Sequence, residues 1–452
     1  MMFGLALRSL RHRTGAFAAA FCATFLGGTL VMAFASLLDT AVADGVPATS
    51  RETLITMAGV VGGWGLIMVA FSVTSTLSLA VRQRTDEIAL LKSAGATPAQ
   101  IRRMIVGEAA ALGLAGTLAA IIPALLGGRL LLDLLIDTGQ VAPGVQYAFG
   151  PFALTTGAAV TFAGSTFAAL LTARRTTRMR VTETLLEAGT RSGRTSRKRV
   201  VFGLLFLLLG ADLAVVTATV MRGEGSDAMQ TAGQTSIWVA VGFALLSPVL
   251  LRASARLLAV PLAVAGAAGY LARHNLSGRT QQLSGALMPI ILFTGIATGT
   301  LYMQRVDDAA LAAEGLRASV EQDNIKTLNF VVVGMLVLFA AIMLINTLIA
   351  TTMDRRGEFA RQRLTGATPR QVLTVTGLEA AVLTVVGVVF GTVAALCTIV
   401  PFTFARTGDP LPDETPAVYA GVVAVAAVLA LATSLATTRR ALRTPAVEAV
   451  AV

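Results

Sequence analysis

The strongest constraint on this fold is a run length. Ten stretches of the 452-residue chain stay apolar for about 20 residues: roughly 15–38, 54–80, 104–126, 152–173, 200–221, 235–251, 283–303, 327–352, 376–400 and 416–437. A helix needs ~20 apolar residues to cross the hydrocarbon core of a bilayer. Only 13% of the residues are charged, where a soluble domain has about 25%. The chain therefore reads as an all-α polytopic membrane protein of ten transmembrane helices. The first run follows a basic start (Arg8, Arg11, Arg13) and is too long for the ~7–15-residue core of a signal peptide. It is expected to stay as a transmembrane helix.

Charge sets the orientation. With the N-terminus in the cytoplasm, 29 of the 36 Lys and Arg residues fall in segments on that side, as the positive-inside rule requires. Both termini are then cytoplasmic. The net charge of +11 is accounted for by these loops, so no nucleic-acid partner is expected. The basic stretch 174–199 is expected to lie against anionic lipid. Residues 257–271, too short to cross and broken by Pro261, read as an interfacial segment. Arg129, Asp133 and Asp137, after Gly127-Gly128, suggest a separate short helix on the outer surface.

One stretch occurs twice. Arg84 to Gln100 matches Arg355 to Gln371 at a constant offset of 271, and the register carries on to Glu108 and Glu379. Further matches (Leu10, Arg13 and Thr14 with Leu276, Arg279 and Thr280; Arg174 and Glu183 with Arg439 and Glu448) extend the duplication. The expected organisation is a four-helix unit at 1–190, a linker with two transmembrane helices at 191–271, and a second four-helix unit at 272–452. Six spans separate corresponding helices, so the two repeats are parallel.

Within each copy the spacing predicts a short amphipathic helix, then a glycine stop (Gly95, Gly366) in the left-handed conformation. A new helix follows, with Thr97 or Thr368 as N-cap, Pro98 or Pro369 at its first position and Gln100 or Gln371 closing a capping box. Helix, sharp break, new helix is a rigid elbow that can pass a push to a transmembrane segment.

The pattern Arg-x-x-Glu-(apolar)-Ala, then Gly-Ala-Thr-Pro-x-Gln, then a later glutamate, resembles the FtsX-like permease family. These are membrane subunits of ABC transporters of the lipoprotein-release and macrolide-efflux type, found in the bacterial cytoplasmic membrane. The resemblance implies that each elbow docks into a groove on a separate ATPase, two copies of which would serve this chain. It marks Arg84, Glu87, Ile88, Leu91, Gly95, Thr97, Pro98 and Gln100 in the first elbow. In the second it marks Arg355, Glu358, Phe359, Gly366, Thr368, Pro369 and Gln371. Many relatives carry a large extracytoplasmic domain, for which loops 39–53 and 304–326 leave no room.

The chain lacks a Walker A loop, because none of its three lysines (Lys92, Lys198, Lys326) follows a glycine. ATP and Mg are thus expected only on the partner, and the chain is not expected to be an enzyme by itself. No catalytic residue or metal site is assigned. Candidate polar groups within the membrane are Asp212, Glu108, Glu379 and Asn346. Glu108 and Glu379, near the inner membrane face, read as structural salt-bridge partners of arginines of the elbow or the first helix rather than as transport groups. The function read from the sequence is outward movement of an amphipathic substrate such as a lipid, peptide or drug. The alternatives are a non-transporting permease that signals mechanically to an extracellular partner, and an ion-coupled secondary transporter.

Overall fold

A computed structural model describes residues 14–62, 88, 90, 91, 93–167, 169, 170, 173, 196–224, 228–315, 330, 334, 338, 341–345, 347–349, 351, 352, 355–412 and 416–447. Among these there is helix and no strand. Among the described residues seven helices are long and apolar enough to cross a membrane, where the sequence suggested ten. Two thirds of the expected span 54–80 and half of 327–352 lie outside the described residues. The expected span 152–173 is not one straight α-helix in its described part, for a reason given below.

The chain forms two compact units, Met1–Thr190 and Arg191–Val452. In the first, α1 (Thr14–Val42) packs along α3 (Pro98–Asp137) and α4 (Pro151–Ala158), with a short α2 (Ala48–Thr56) that runs into a π turn. Helix α4 widens into a second π turn at Ala159–Ala163 before 164–167 resume α-helix. There Thr161 hydrogen-bonds Thr117 of α3, and Ser165 donates to the Ala109 carbonyl. Insertion of such contacts is a common setting for a π bulge. Asp39 of α1 accepts from the backbone N–H groups of Phe152 and Ala153, both at 2.9 Å, and so satisfies the open N-terminus of α4.

Helix α3 runs 40 residues, through Gly127-Gly128, and takes in the segment expected to be a separate surface helix. The glycines do not break it. Gly128 instead admits Ser36 of α1 and Tyr147 to within touching distance of its backbone, with no space for a side chain. Small residues serve this purpose where membrane helices pack.

In the second unit, α5 (Arg197–Thr219) and α6 (Ala228–Leu257) lead through α7 (Ala259–Val264) and α8 (Gly266–Gly278) into α9 (Thr280–Ala313). Next come α10 (Arg356–Leu364), α11 (Pro369–Thr407) and α12 (Ala417–Leu442). Helix α9 is the centre, enclosed by α6, α11 and α12. It stays helical to Ala313, so the acidic loop expected from 304 begins more than two turns later than the sequence suggested.

Helices α3 and α11 bury the same face. Ile101 and Val372, Leu112 and Leu383, Gly116 and Gly387, and Ala124 and Ala395 are all buried at the constant offset of 271. The exposed apolar stripe is shared as well: Leu114, Leu118, Ile122 and Leu125 answer to Val385, Val389, Val393 and Leu396. A stripe of this kind is a lipid-facing surface in a chain of such composition. The helices differ on a third face. Val386 and Ala394 of α11 are buried, and Phe390 meets Phe243 of α6 with ring centroids 5.4 Å apart. The matching Ala115 and Ala119 of α3 are exposed within their unit. The pair α5–α6 packs on α11 and thereby breaks the internal likeness.

Candidate functional site

Both elbows have the local structure that their residues dictate. Thr97 accepts from the Gln100 backbone N–H and the Gln100 side chain accepts from Thr97 N–H; Thr368 and Gln371 repeat this. Pro98 and Pro369 open the new helices. Gly95 and Gly366 end the elbow helices at φ +89° and +101°, a region costing other residues about 1–2 kcal/mol. Residues 88, 90, 91 and 93 are helical in the first copy, and α10 is the elbow helix of the second.

The second elbow is fastened by a buried charge network. Arg355, at the N-cap of α10, is 6% exposed and pairs through both terminal nitrogens with Glu379 of α11, itself 3% exposed. Glu379 also accepts from Asn275 of α8 at 2.6 Å. Glu358 lies 3.5 Å from Arg355 and pairs with Arg279 at the start of α9. The Arg355 guanidinium stands 5.1 Å from the ring centroid of Phe359, a cation–π distance. On the other side of α10, Arg363 donates to the carbonyls of Leu442 and Thr444, at and just past the end of α12, and Arg356 reaches the Thr444 hydroxyl. Burial opposes the charge on Arg355, but Glu379 and Glu358 outweigh it and hold the guanidinium's pKa above its ordinary value. The elbow helix is thus tied to α8, α9, α11 and the end of α12.

The marked residues divide by what they face. Ile88 is buried against Ala20, Ile101 and Ile105, and Phe359 is 2% exposed. These two and Arg355 point into their own units. The open surface of the first elbow carries Leu90 and Leu91; that of the second carries Arg356, Arg361 and Leu364. Glu108 is buried on α3, in register with Glu379. Asp212 is exposed on α5 within its unit rather than packed among polar neighbours. Arg84, Glu87 and Asn346 lie outside the described residues. Asn275 was not singled out from the sequence, because its counterpart at offset 266 is Ser9, which lacks the amide.

At its other end α11 is paired directly with α9. Arg406 pairs with Asp307 at 2.9 Å and with Glu314 at 2.7 Å, and Arg222 sits over Phe404.

A helical, multi-pass membrane protein built around two copies of one capped elbow is the class that this fold defines. The FtsX-like permease C-terminal family matches the chain twice, over residues 59–179 and 330–446, more than half of its length, with one elbow in each match. The chain belongs to the FtsX-like permease family. It is similar to the ABC transporter permease YtrF of Bacillus subtilis (strain 168), with 40% identity over 62 residues, 14% of each chain.

Proposed function

We propose that this chain is the membrane subunit of an ABC transporter, converting ATP hydrolysis on a separate ATPase into outward movement of an amphipathic substrate. The observation that carries the proposal is the anchoring of α10. A short amphipathic helix stands outside the long spans; a buried ion pair fastens it to Glu379 of α11 and through that to α8, Glu358 joins it to the start of α9, and the half-buried Arg363 to the end of α12. A push on such a helix reaches all four at once. In this reading the chain has ten spans with both termini in the cytoplasm of a bacterial cell, and the elbows face the cytoplasm. Two ATPase copies dock there, and ATP and Mg reside on them.

In this reading the ATPase touches residues that are exposed on the elbows. Ile88, Phe359 and Arg355 act as anchors, since their side chains are buried. Leu90 and Leu91 form the first contact, and Arg356, Arg361 and Leu364 the second. An apolar and a cationic surface would grip one ATPase type with unequal strength.

Co-purification with an ATPase encoded beside this chain is the test. Leu91→Asp combined with Arg361→Glu should abolish the complex and the ATP turnover it supports while leaving heat stability unchanged. An intact complex would refute the docking surfaces. ATP-dependent flux in vesicles then separates export from signalling, which would show ATP turnover without flux.

A further inference from the structure

Apart from the elbow, the second unit gathers positive charge around a cavity of about 310 Å³, lined by Arg252, Ala255, Arg256, Arg273 and Ser277. The volume falls at the low end of the ~300–1,000 Å³ typical of small-molecule sites. Its geometry follows from two helix faces. Arg252 and Arg256 are four apart at the end of α6, and Arg273 and Ser277 are four apart on α8. Residues at that spacing share a face. The turn that brings the faces together is α7, which folds back so closely that the Leu262 carbonyl leaves no space for a side chain at Gly269. The described lining holds three guanidinium groups, one hydroxyl and no carboxylate. An oxyanion at such a cluster of guanidinium groups accepts paired, charge-assisted hydrogen bonds.

The surroundings point to what carries the anion. Next to the cavity, Leu257, Val260 and Val264 are 80%, 77% and 87% exposed, and Tyr270 is 68% exposed. Fully solvated aliphatic side chains at this density are unfavourable. Beside acyl chains they are at home, with tyrosine at the interfacial level. We propose that the α6–α8 turn is a binding site for the phosphate headgroup of an anionic phospholipid. Arg252, Arg256 and Arg273 hold the phosphate beside Ser277, whose hydroxyl donates to the carbonyls of Arg273 and His274, and the acyl chains lie along Leu257, Val260 and Val264. Through α8, whose Asn275 reaches Glu379, a bound lipid rests one helix away from the elbow anchor.

The test uses the full chain, purified in detergent and titrated with short-chain phosphatidylglycerol or phosphatidylcholine under native mass spectrometry. Phosphatidylglycerol should bind more tightly. Arg256→Gln with Arg273→Gln, both exposed positions, should weaken it roughly tenfold or more without changing phosphatidylcholine binding or helical content. Arg256→Lys with Arg273→Lys should restore part of the loss. Val260→Ser with Val264→Ser should weaken binding of the intact lipid. Equal binding of both lipids, or an unchanged affinity in the glutamine variant, would overturn the site. Displacement of the lipid by millimolar inorganic phosphate, with no effect of the valine changes, would make it a free-anion site and overturn the lipid assignment. Loss of ATPase binding with lipid binding intact would make it a protein contact and overturn it equally.

Discussion

Glu379 receives Arg355 on both oxygens and Asn275 on one of them. Removing one partner from a buried pair strands the other, at a cost of about 3–5 kcal/mol. Glu379→Gln should therefore lower the thermal stability of the purified chain by that order, and Asn275→Ala by about 1 kcal/mol. The double variant should cost less than the sum, because both act through one carboxylate. Additivity in unfolding measurements would show that the contacts are independent. At the cap, Thr368→Ala should cost about 1 kcal/mol and Gly366→Ala a similar amount through its positive φ. The pH dependence has a definite sign. A raised pKa contributes stability below the ordinary arginine value that is lost only as pH rises through the folded value. With Arg355 shifted upward, a titration of stability from neutral to moderately alkaline pH should show no loss attributable to this pair. The caps were legible in the sequence because each is a local pattern of four letters. Asn275 was not, since it meets Glu379 from 104 residues away and the repeat offers no matching amide.

Among elements, the elbows differ in what they expose. Leu90→Asp with Leu91→Asp should weaken ATPase binding through lost apolar contact at any salt concentration. Arg361→Glu should weaken it chiefly at low salt, since exposed charges are screened within about 10 Å at 0.1 M. Binding assays at two ionic strengths separate the two, and identical salt responses would contradict the assignment of one apolar and one cationic contact. The length of α3 shows where sequence reading failed. Two adjacent glycines normally punctuate a chain, yet here the neighbouring α1 needs a place to approach, and tertiary contact with Ser36 decides. The end of α9 failed for the opposite reason. Asp307 and Asp308 look like loop residues, but Asp307 is 2% exposed and paired with Arg406, which makes a charged helical turn favourable.

For the whole molecule, the likeness between α3 and α11 is real in their buried and lipid-facing stripes and stops where α5–α6 cover α11. Within their own units, the two copies of this helix are therefore packed differently. Ten spans with both termini inside can be checked by cysteine labelling in intact cells, in a chain whose own Cys22 and Cys397 are replaced by alanine. Single cysteines introduced at Ser196 and at Thr444 should resist impermeant reagents, and one at Asp409 should react. Labelling of Ser196→Cys from outside would overturn the orientation and the count. The membrane-spanning character was readable from run length alone. The duplication was readable only where charged and capping residues interrupt apolar sequence, because aliphatic residues exchange freely in lipid.

Helix α11 is paired with α9 directly at Arg406 and linked to it through α10 at Glu379, which has a mechanical consequence. Glu379, whose partners lead back to the start of α9, and Arg406 are 27 positions apart on one helix, about 40 Å at 1.5 Å per residue. That exceeds the ~30 Å of the hydrocarbon core. The helices are tied near both ends, directly at Arg406 and through α10 at Glu379, so sliding one along the other breaks ion pairs. The seam between α9 and α11 is therefore costly to open.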